Sequence, residues 1–237
     1  MKAILPLALM LCASAAFAAE TRPVVVELFT SQGCSSCPPA DALLGELAKH
    51  RDIIALGFHI TYWDGAQWRD PLSLPAATER QKAYDRRLTG GQIYTPQMVV
   101  DGTEDVIGNE RGAVLAALAA AKPAEIAPVE FAFDRRSVSV GAGKTPGGAT
   151  VLLARYVLRH ATQVKGGENA GHSATDFNAV TALTNLGAWD GKPVSFAIEP
   201  PGDGEGLAVL VQAADGTIYG AAALSPAGSS APVAFRR

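Results

Sequence analysis

The stretch from Val24 to Ile60 restricts the fold more than any other part of the chain. VVVELFT (24–30) is rich in β-branched residues and reads as a strand. A short turn containing Gly33 and Cys34-Ser35-Ser36-Cys37 follows, then DALLGELAKH (41–50), where Leu43, Leu44 and Leu47 recur at helical spacing. IIALGFHI (53–60) is nearly continuous in apolar residues, as in a parallel strand covered on both faces. Strand, helix and parallel strand in that order call for a sheet with helices packed on it.

The pattern continues. A polar, aromatic segment, TYWDGAQWRDPLSL, precedes a helix over Pro75 to Leu88, with Pro75 suited to its first position. Gln97–Val100 and Val106–Ile107 flank Asp101-Gly102, a hairpin turn, and Glu110–Ala121 forms a third helix before Pro123. From Ala124 the character changes. VEFAF, SVSVG, TVLLARYVL, VSFAIE, LAVLVQ and TIYGAAAL are short strand-like runs separated by Gly- and Pro-rich punctuation. NAVTALTNL fits a short helix or another strand. The expected class is α+β. Residues 19–123 form an α/β domain, residues 124–237 an antiparallel β-sandwich-like domain, and the boundary lies near Lys122 to Pro128.

Residues 1–18, MKAILPLALMLCASAAFA, carry Lys2, an apolar core and Ala16-Phe17-Ala18, the pattern of a signal peptide cut after Ala18. The chain is then exported, periplasmic or secreted, and Cys12 leaves with the leader. Cys34 and Cys37 remain, in a compartment where disulfides persist. Without Lys2 there are 19 Lys and Arg against 23 Asp and Glu, a net charge of −4. No basic cluster points to nucleic acid, no later apolar run is long enough to cross a bilayer, and peripheral membrane contact is not indicated. Oligomeric state is open.

Two cysteines three apart beside a βαβ pattern support three readings: a working dithiol, a metal clip or a structural bridge. At the first turn of a helix, N–H groups and the dipole would favour a thiolate on Cys34, with Cys37 as resolving thiol. A bridge closing so short a loop is a poor staple. Tetrahedral zinc needs further ligands, and His50, His59, His160 and His172 supply no second close pair.

Cys34-Ser35-Ser36-Cys37 after VVVELFT, with Thr95-Pro96 opening the strand QMVV, resembles the thioredoxin fold. The resemblance implies a thioredoxin-like N-terminal domain, a cis-proline at Pro96 facing the dithiol, and a substrate paired with the backbone of Thr95. More narrowly, ELFTSQGCSSCPPAD, FHITYWD, YTPQMVVDG and GENAGHSATDFNAV are similar to an exported bacterial family catalogued as domain of unknown function 1223, or DUF1223. That family implies a fold and an export route but no reaction. The chain departs from thioredoxins in Gly33 before the first cysteine, in the Ser-Ser dipeptide, and in Pro38-Pro39, which remove two helix N–H groups. The helix then starts irregularly, or begins only at Pro38 with a weaker effect on Cys34.

Glu27 interrupts the first strand. Buried near the dithiol, it could relay a proton to or from Cys37, and the alternative is a carboxylate at a strand end, solvated or paired with an arginine. Asp41, one helical turn beyond Cys37, fits a first-turn acid better than a catalytic group. His59 ends its strand, where parallel-sheet sites gather; it could tune the cysteines or help bind a metal, and the alternative is a structural histidine. Tyr62, Trp63, Asp64 and Trp68 could line a groove for an extended partner or pack between domains. Glu168, Asn169, His172 and Asp176 cluster in a Gly-containing loop, a small binding site or a hydrogen-bonded loop.

The expected protein is thus an exported thiol–disulfide oxidoreductase acting on protein thiols or disulfides. Its residues are Cys34 and Cys37 (forming the disulfide), Glu27, Thr95 and Pro96, and no organic cofactor is required. The alternatives are a copper(I)-binding protein, with His59 or Met98 assisting the sulfurs, and a non-catalytic interaction module. The exchange reading requires Cys34 open to solvent and the Tyr94-Thr95-Pro96 turn on the same side of the molecule.

Overall fold

The computed structural model describes residues 22–123, 127–145 and 147–226. The expected leader at 1–18 lies outside them. Among the described residues no helix is long and apolar enough to cross a membrane.

The first half follows the order read from the sequence: β1 (Val24–Thr30), α1 (Pro38–Leu47), β2 (Ile53–His59), α2 (Pro75–Leu88), β3 (Gln97–Val100), β4 (Glu104–Ile107) and α3 (Arg111–Ala120). β1 and β2 pair in parallel, Val24 opposite Ile53 through Thr30 opposite His59. β3 runs antiparallel to β1, and β4 to β3. Asp101 and Gly102 carry the β3–β4 turn, both at positive φ (52° and 75°), a conformation Gly and Asp tolerate better than most residues.

All residues of β1 and β2 are buried, because helices cover both faces. Val24, Val26 and Leu28 pack with Leu43, Leu44 and Leu47 of α1 and Val114 and Leu118 of α3. The alternate residues Val25 and Phe29 pack on the other face with Ile54, Phe58, Ala77 and Tyr84. Each large apolar side chain so buried contributes about 1.5–3 kcal/mol.

The second half is β5 (Val129–Phe131), β6 (Ser137–Val140), β7 (Ala149–Gln163), β8 (Ser173–Trp189), β9 (Val194–Ala197), β10 (Glu205–Gln212) and β11 (Ile218–Leu224). NAVTALTNL belongs to a strand, β8. The sandwich expected of residues 124–237 takes a different form. β7, β8, β10 and β11 extend the first sheet into one of eight strands, ordered β11-β10-β7-β8-β2-β1-β3-β4. Among the described residues β5, β6 and β9 form a separate sheet, which packs Val138 and Val140 against Val151, Leu207, Val209 and Trp189. Strands on either side of residue 124 therefore share one mixed sheet.

The physical reason lies at the junction. β2 is apolar on both faces, and such a strand left at an edge would expose unpaired backbone. β8 covers it in parallel, Gly57 opposite Ala179. Asn178, at φ 46°, donates its side-chain amide to the Ala55 carbonyl at 2.8 Å, replacing a ladder bond where β8 turns. A Cβ on Gly45 of α1 would enter the ring of Phe177, so this glycine lets the helix lie close to β8. β7 and β8 are long, 15 and 17 residues, and their connecting tip lies over the start of α1.

Candidate functional site

Residues 30–34 leave the end of β1 buried, and Cys34 and Cys37 are joined by a disulfide, their Cα atoms 5.5 Å apart. The cysteines do not occupy the first turn of a helix. Cys37 is the N-cap, α1 begins at Pro38, and the Cys34 carbonyl accepts the Cys37 N–H at 3.2 Å. Pro38 and Pro39 have no N–H, and those of Ala40 and Asp41 both bond to the Cys37 carbonyl. No free donor of this helix end remains for a thiolate at Cys34, so the expected dipole effect is weak. The polar atom beside Cys34 Sγ is the Ser36 hydroxyl, at 3.3 Å.

The Thr95–Pro96 peptide is cis and lies on the same side as the dithiol. The Ser36 hydroxyl donates to the Thr95 carbonyl at 3.5 Å, and Asn109 donates to the Ser36 carbonyl at 3.3 Å. The Trp63 indole N–H donates to Thr95 Oγ1 at 2.8 Å. Tyr62, Trp63 and Ile93 are exposed on this side at 40%, 37% and 41%. Asp64 instead braces its own segment, accepting from the Ser73 hydroxyl and the Asp70 N–H. Trp68 sits near Gly167.

Cys34 is not open to solvent. It is 1% exposed and Cys37 fully buried, which overturns that expectation. The cover is the tip of the β7–β8 hairpin. Asn169 donates its amide to the carbonyls of Gln32 and Cys34 at 3.0 and 2.9 Å, and Glu168 accepts the Ser35 N–H at 3.1 Å. Hydrogen bonds from the Ser35 hydroxyl and backbone N–H hold the Glu168 carboxyl below its usual range. Sequence placed Glu168, Asn169, His172 and Asp176 in one loop; it gave no signal that the loop seats on the cysteines.

Behind the dithiol lies a buried charged cluster. His59, at the end of β2, bonds through Nδ1 to Asp70 at 2.8 Å and has Nε2 3.8 Å from Asp176. Asp70 also accepts the Gln32 N–H at 2.8 Å, and Gln32 donates to Asp176 at 2.7 Å. Asp41 accepts the Thr30 hydroxyl at 2.7 Å. Burial alone would lower the His59 pKa, but the hydrogen bond and charge of Asp70, with Asp176 and Asp41, outweigh it and raise the pKa. Burial acts against the Asp70 carboxylate, yet His59 and the N–H groups of Gln32 and Leu72 hold its pKa low. At Asp41 and Asp176 burial outweighs the opposing charge of His59 and the hydrogen bonds from Thr30 and Gln32. Burial pushes Asp41 up to about 7, with Asp176 and Asp70 adding to the effect, and raises Asp176 as well. Asp70 and Gln32 were not singled out in the sequence, because what makes them notable is contact across the fold.

Glu27 is fully buried but does not meet the dithiol. It points to the α2 face, where Arg80 pairs with it through Nε and Nη2 and the Tyr84 hydroxyl donates to it at 2.5 Å. The arginine-paired alternative is the observed one. The donors proposed for copper do not gather either. Met98 packs in the core with Leu28 and Val114, and both His59 nitrogens face carboxylates. Among the described residues no three His, Cys, Asp or Glu side chains are grouped to hold a metal.

The architecture is similar to that of protein AGR_C_4864 from Agrobacterium tumefaciens, at 32% identity and a TM-score of 0.72, covering 89% of this chain and 97% of that one. HBP35 of Porphyromonas gingivalis is similar in fold alone, at 14% identity and a TM-score of 0.57, over 91% of this chain and 80% of that one. No curated protein matches. A family model spanning residues 25–212, and so most of the chain, matches the sequence; the chain belongs to the family described as Protein of unknown function (DUF1223).

Proposed function

We propose that this protein is an exported thiol–disulfide oxidoreductase built on a thioredoxin-like unit, with Cys34 as nucleophile and Cys37 as resolving thiol. One observation carries the reading: a disulfide-forming pair after β1 lies beside the cis Thr95–Pro96 peptide. The strand order β2-β1-β3-β4, with β1 and β2 parallel and a helix following each, supports the same unit. Thr95 and Pro96 then contact the substrate, and Trp63 and Tyr62 flank it. Cys34 is 1% exposed beneath the hairpin tip, so exchange on this reading requires the tip to leave it first; a Cys34 thiolate then attacks a partner disulfide, and Cys37 attacks the resulting mixed disulfide to release the reduced partner.

A redox titration of the purified protein tests this. The wild type should show one reversible two-electron couple, and Cys34→Ser should abolish both the couple and reduction of an insulin-type disulfide. A second reading, a non-catalytic interaction module, draws on the near-complete burial of Cys34. It predicts a disulfide that resists reduction at every potential above about −300 mV, and a Cys37→Ser variant that traps no disulfide-linked partner in the cell.

A further inference from the structure

A cavity of about 290 Å³ lies beside the dithiol, between the start of α1 and the tip of the β7–β8 hairpin. Ser31 and Gln32, just before Cys34, and Pro38, just after Cys37, form one wall. Val164, His172 and Phe177 form the opposite wall. Asp41 also lines it, one helical turn beyond Cys37, a spacing that leaves about 5–6 Å between Cβ atoms. Thr30 satisfies one oxygen of this carboxyl.

The charge here is one-sided. Asp41 is faced by His59 on β2, by Asp70 in the segment between β2 and α2, and by Asp176 on β8. His160 on β7 faces Asp176, and His172 closes the hairpin side. Three carboxyl groups thus share one closely bonded imidazole, and Glu168 adds a fourth above Ser35. A cation entering the cavity would relieve this excess, and an anion would add to it. The hairpin tip covers Cys34. A folded protein surface meets that cover, whereas the cavity can seat a small head group; neither sulfur lines it, so the ligand's own sulfur must reach Cys34 past the Gln32 and Pro38 wall.

We propose that this cavity takes a low-molecular-weight disulfide, or the corresponding thiol, bearing an ammonium group close to sulfur, and that Asp41 is the carboxylate that holds the ammonium. The inference rests on the exchange reading and narrows its substrate class. With the protein reduced and the ligand R–S–S–R, the Cys34 thiolate attacks one ligand sulfur, forming Cys34–S–S–R and expelling RS⁻. The Cys37 thiolate then attacks the Cys34 sulfur, closes the protein disulfide and expels the second RS⁻. The protein loses two electrons and two protons, and the ligand gains them as two RSH.

The experiment oxidises the reduced, purified protein at pH 8 with three disulfides that differ in head-group charge: cystamine, bis(2-hydroxyethyl) disulfide and 3,3′-dithiodipropionate. Each rate is divided by that of the same disulfide with dithiothreitol, which cancels leaving-group reactivity. The normalised rate for cystamine should exceed that of the neutral disulfide about fivefold, the effect of one contact charge in a solvent-like medium, with the anionic disulfide slowest. Asp41→Asn should bring the cystamine ratio close to one, and so should 1 M NaCl on the wild type. Below pH 7, as Asp41 takes up a proton, the preference should fade. Equal normalised rates, a preference unchanged in Asp41→Asn, or one insensitive to salt overturns the inference and leaves exchange standing. Failure of all three disulfides to oxidise the protein overturns the exchange reading itself.

Discussion

Two buried polar clusters flank the central strands, and they are built on opposite terms. On the α2 face, Glu27 meets Arg80 and Tyr84, and Gln212 of β10 bonds to both Arg80 and Tyr84. One negative charge meets one positive charge, and burial is offset by Arg80, whose pKa is raised despite desolvation by the charge of Glu27. The cluster ties α2 to strands from both halves of the chain. Beside the dithiol, the carboxyls of Asp41, Asp70 and Asp176 share His59, and two of the three have raised pKa values. Burial tolerates charge when partners balance it and penalises it otherwise. The balanced cluster is a structural joint. The unbalanced one sits beside the only disulfide among the described residues, where a site can accept a stability cost in return for chemistry.

Breaking the balanced cluster should have the largest effect. Arg80→Met leaves Glu27 buried without its cation and should cost about 3–5 kcal/mol in chemical denaturation. The double variant with Glu27→Gln should recover most of this. A loss for Arg80→Met close to zero would remove the contrast between the clusters.

The unbalanced cluster should respond with the opposite sign. The folded-state pKa of Asp41 is raised to about 7 from 3.8, so the folded protein binds the proton more tightly than the unfolded chain. Stability from this group is therefore lost as pH rises from about 4 through 7. Asp41→Asn should stabilise the protein at pH 8 by on the order of 2 kcal/mol, discounted for the partial exposure of Asp41. Near pH 3.5 the difference should vanish. Urea midpoints across that range provide the measurement, and a variant less stable than wild type at pH 8 would contradict the account.

The smallest effect belongs to the cover. Asn169→Ala removes two hydrogen bonds to backbone carbonyls at the rim and should cost about 1 kcal/mol. Its sharper consequence is kinetic: iodoacetamide should alkylate reduced Cys34 several-fold faster. An unchanged alkylation rate would mean that the hairpin tip does not limit access.

Much of the scaffold was legible because its signals are local. The six apolar or β-branched positions of β1, the leucines of α1, Pro75 at the start of α2 and the Asp101-Gly102 turn each specify a backbone state within a few residues. Pro38 and Pro39 also held a local message, that the helix could begin after the dithiol, and it does. What stayed hidden depended on partners far along the chain. Glu27 reads the same whether it faces the cysteines or Arg80, 53 residues away. Asn169 reads as a loop residue until it is seen bonded to Cys34, 135 residues earlier.

The amino-acid sequence alone determined the family motifs, the dithiol, the strand–helix order of the first half and the strand-rich character of the second. These follow from side-chain periodicity, turn chemistry and the fixed φ of proline. Tertiary structure decided that β8 would close the exposed edge of β2, that the hairpin tip would roof Cys34, and that three carboxyls would share one histidine. Those outcomes depend on which distant surfaces bury each other, and burial sets the energy of every charge among them.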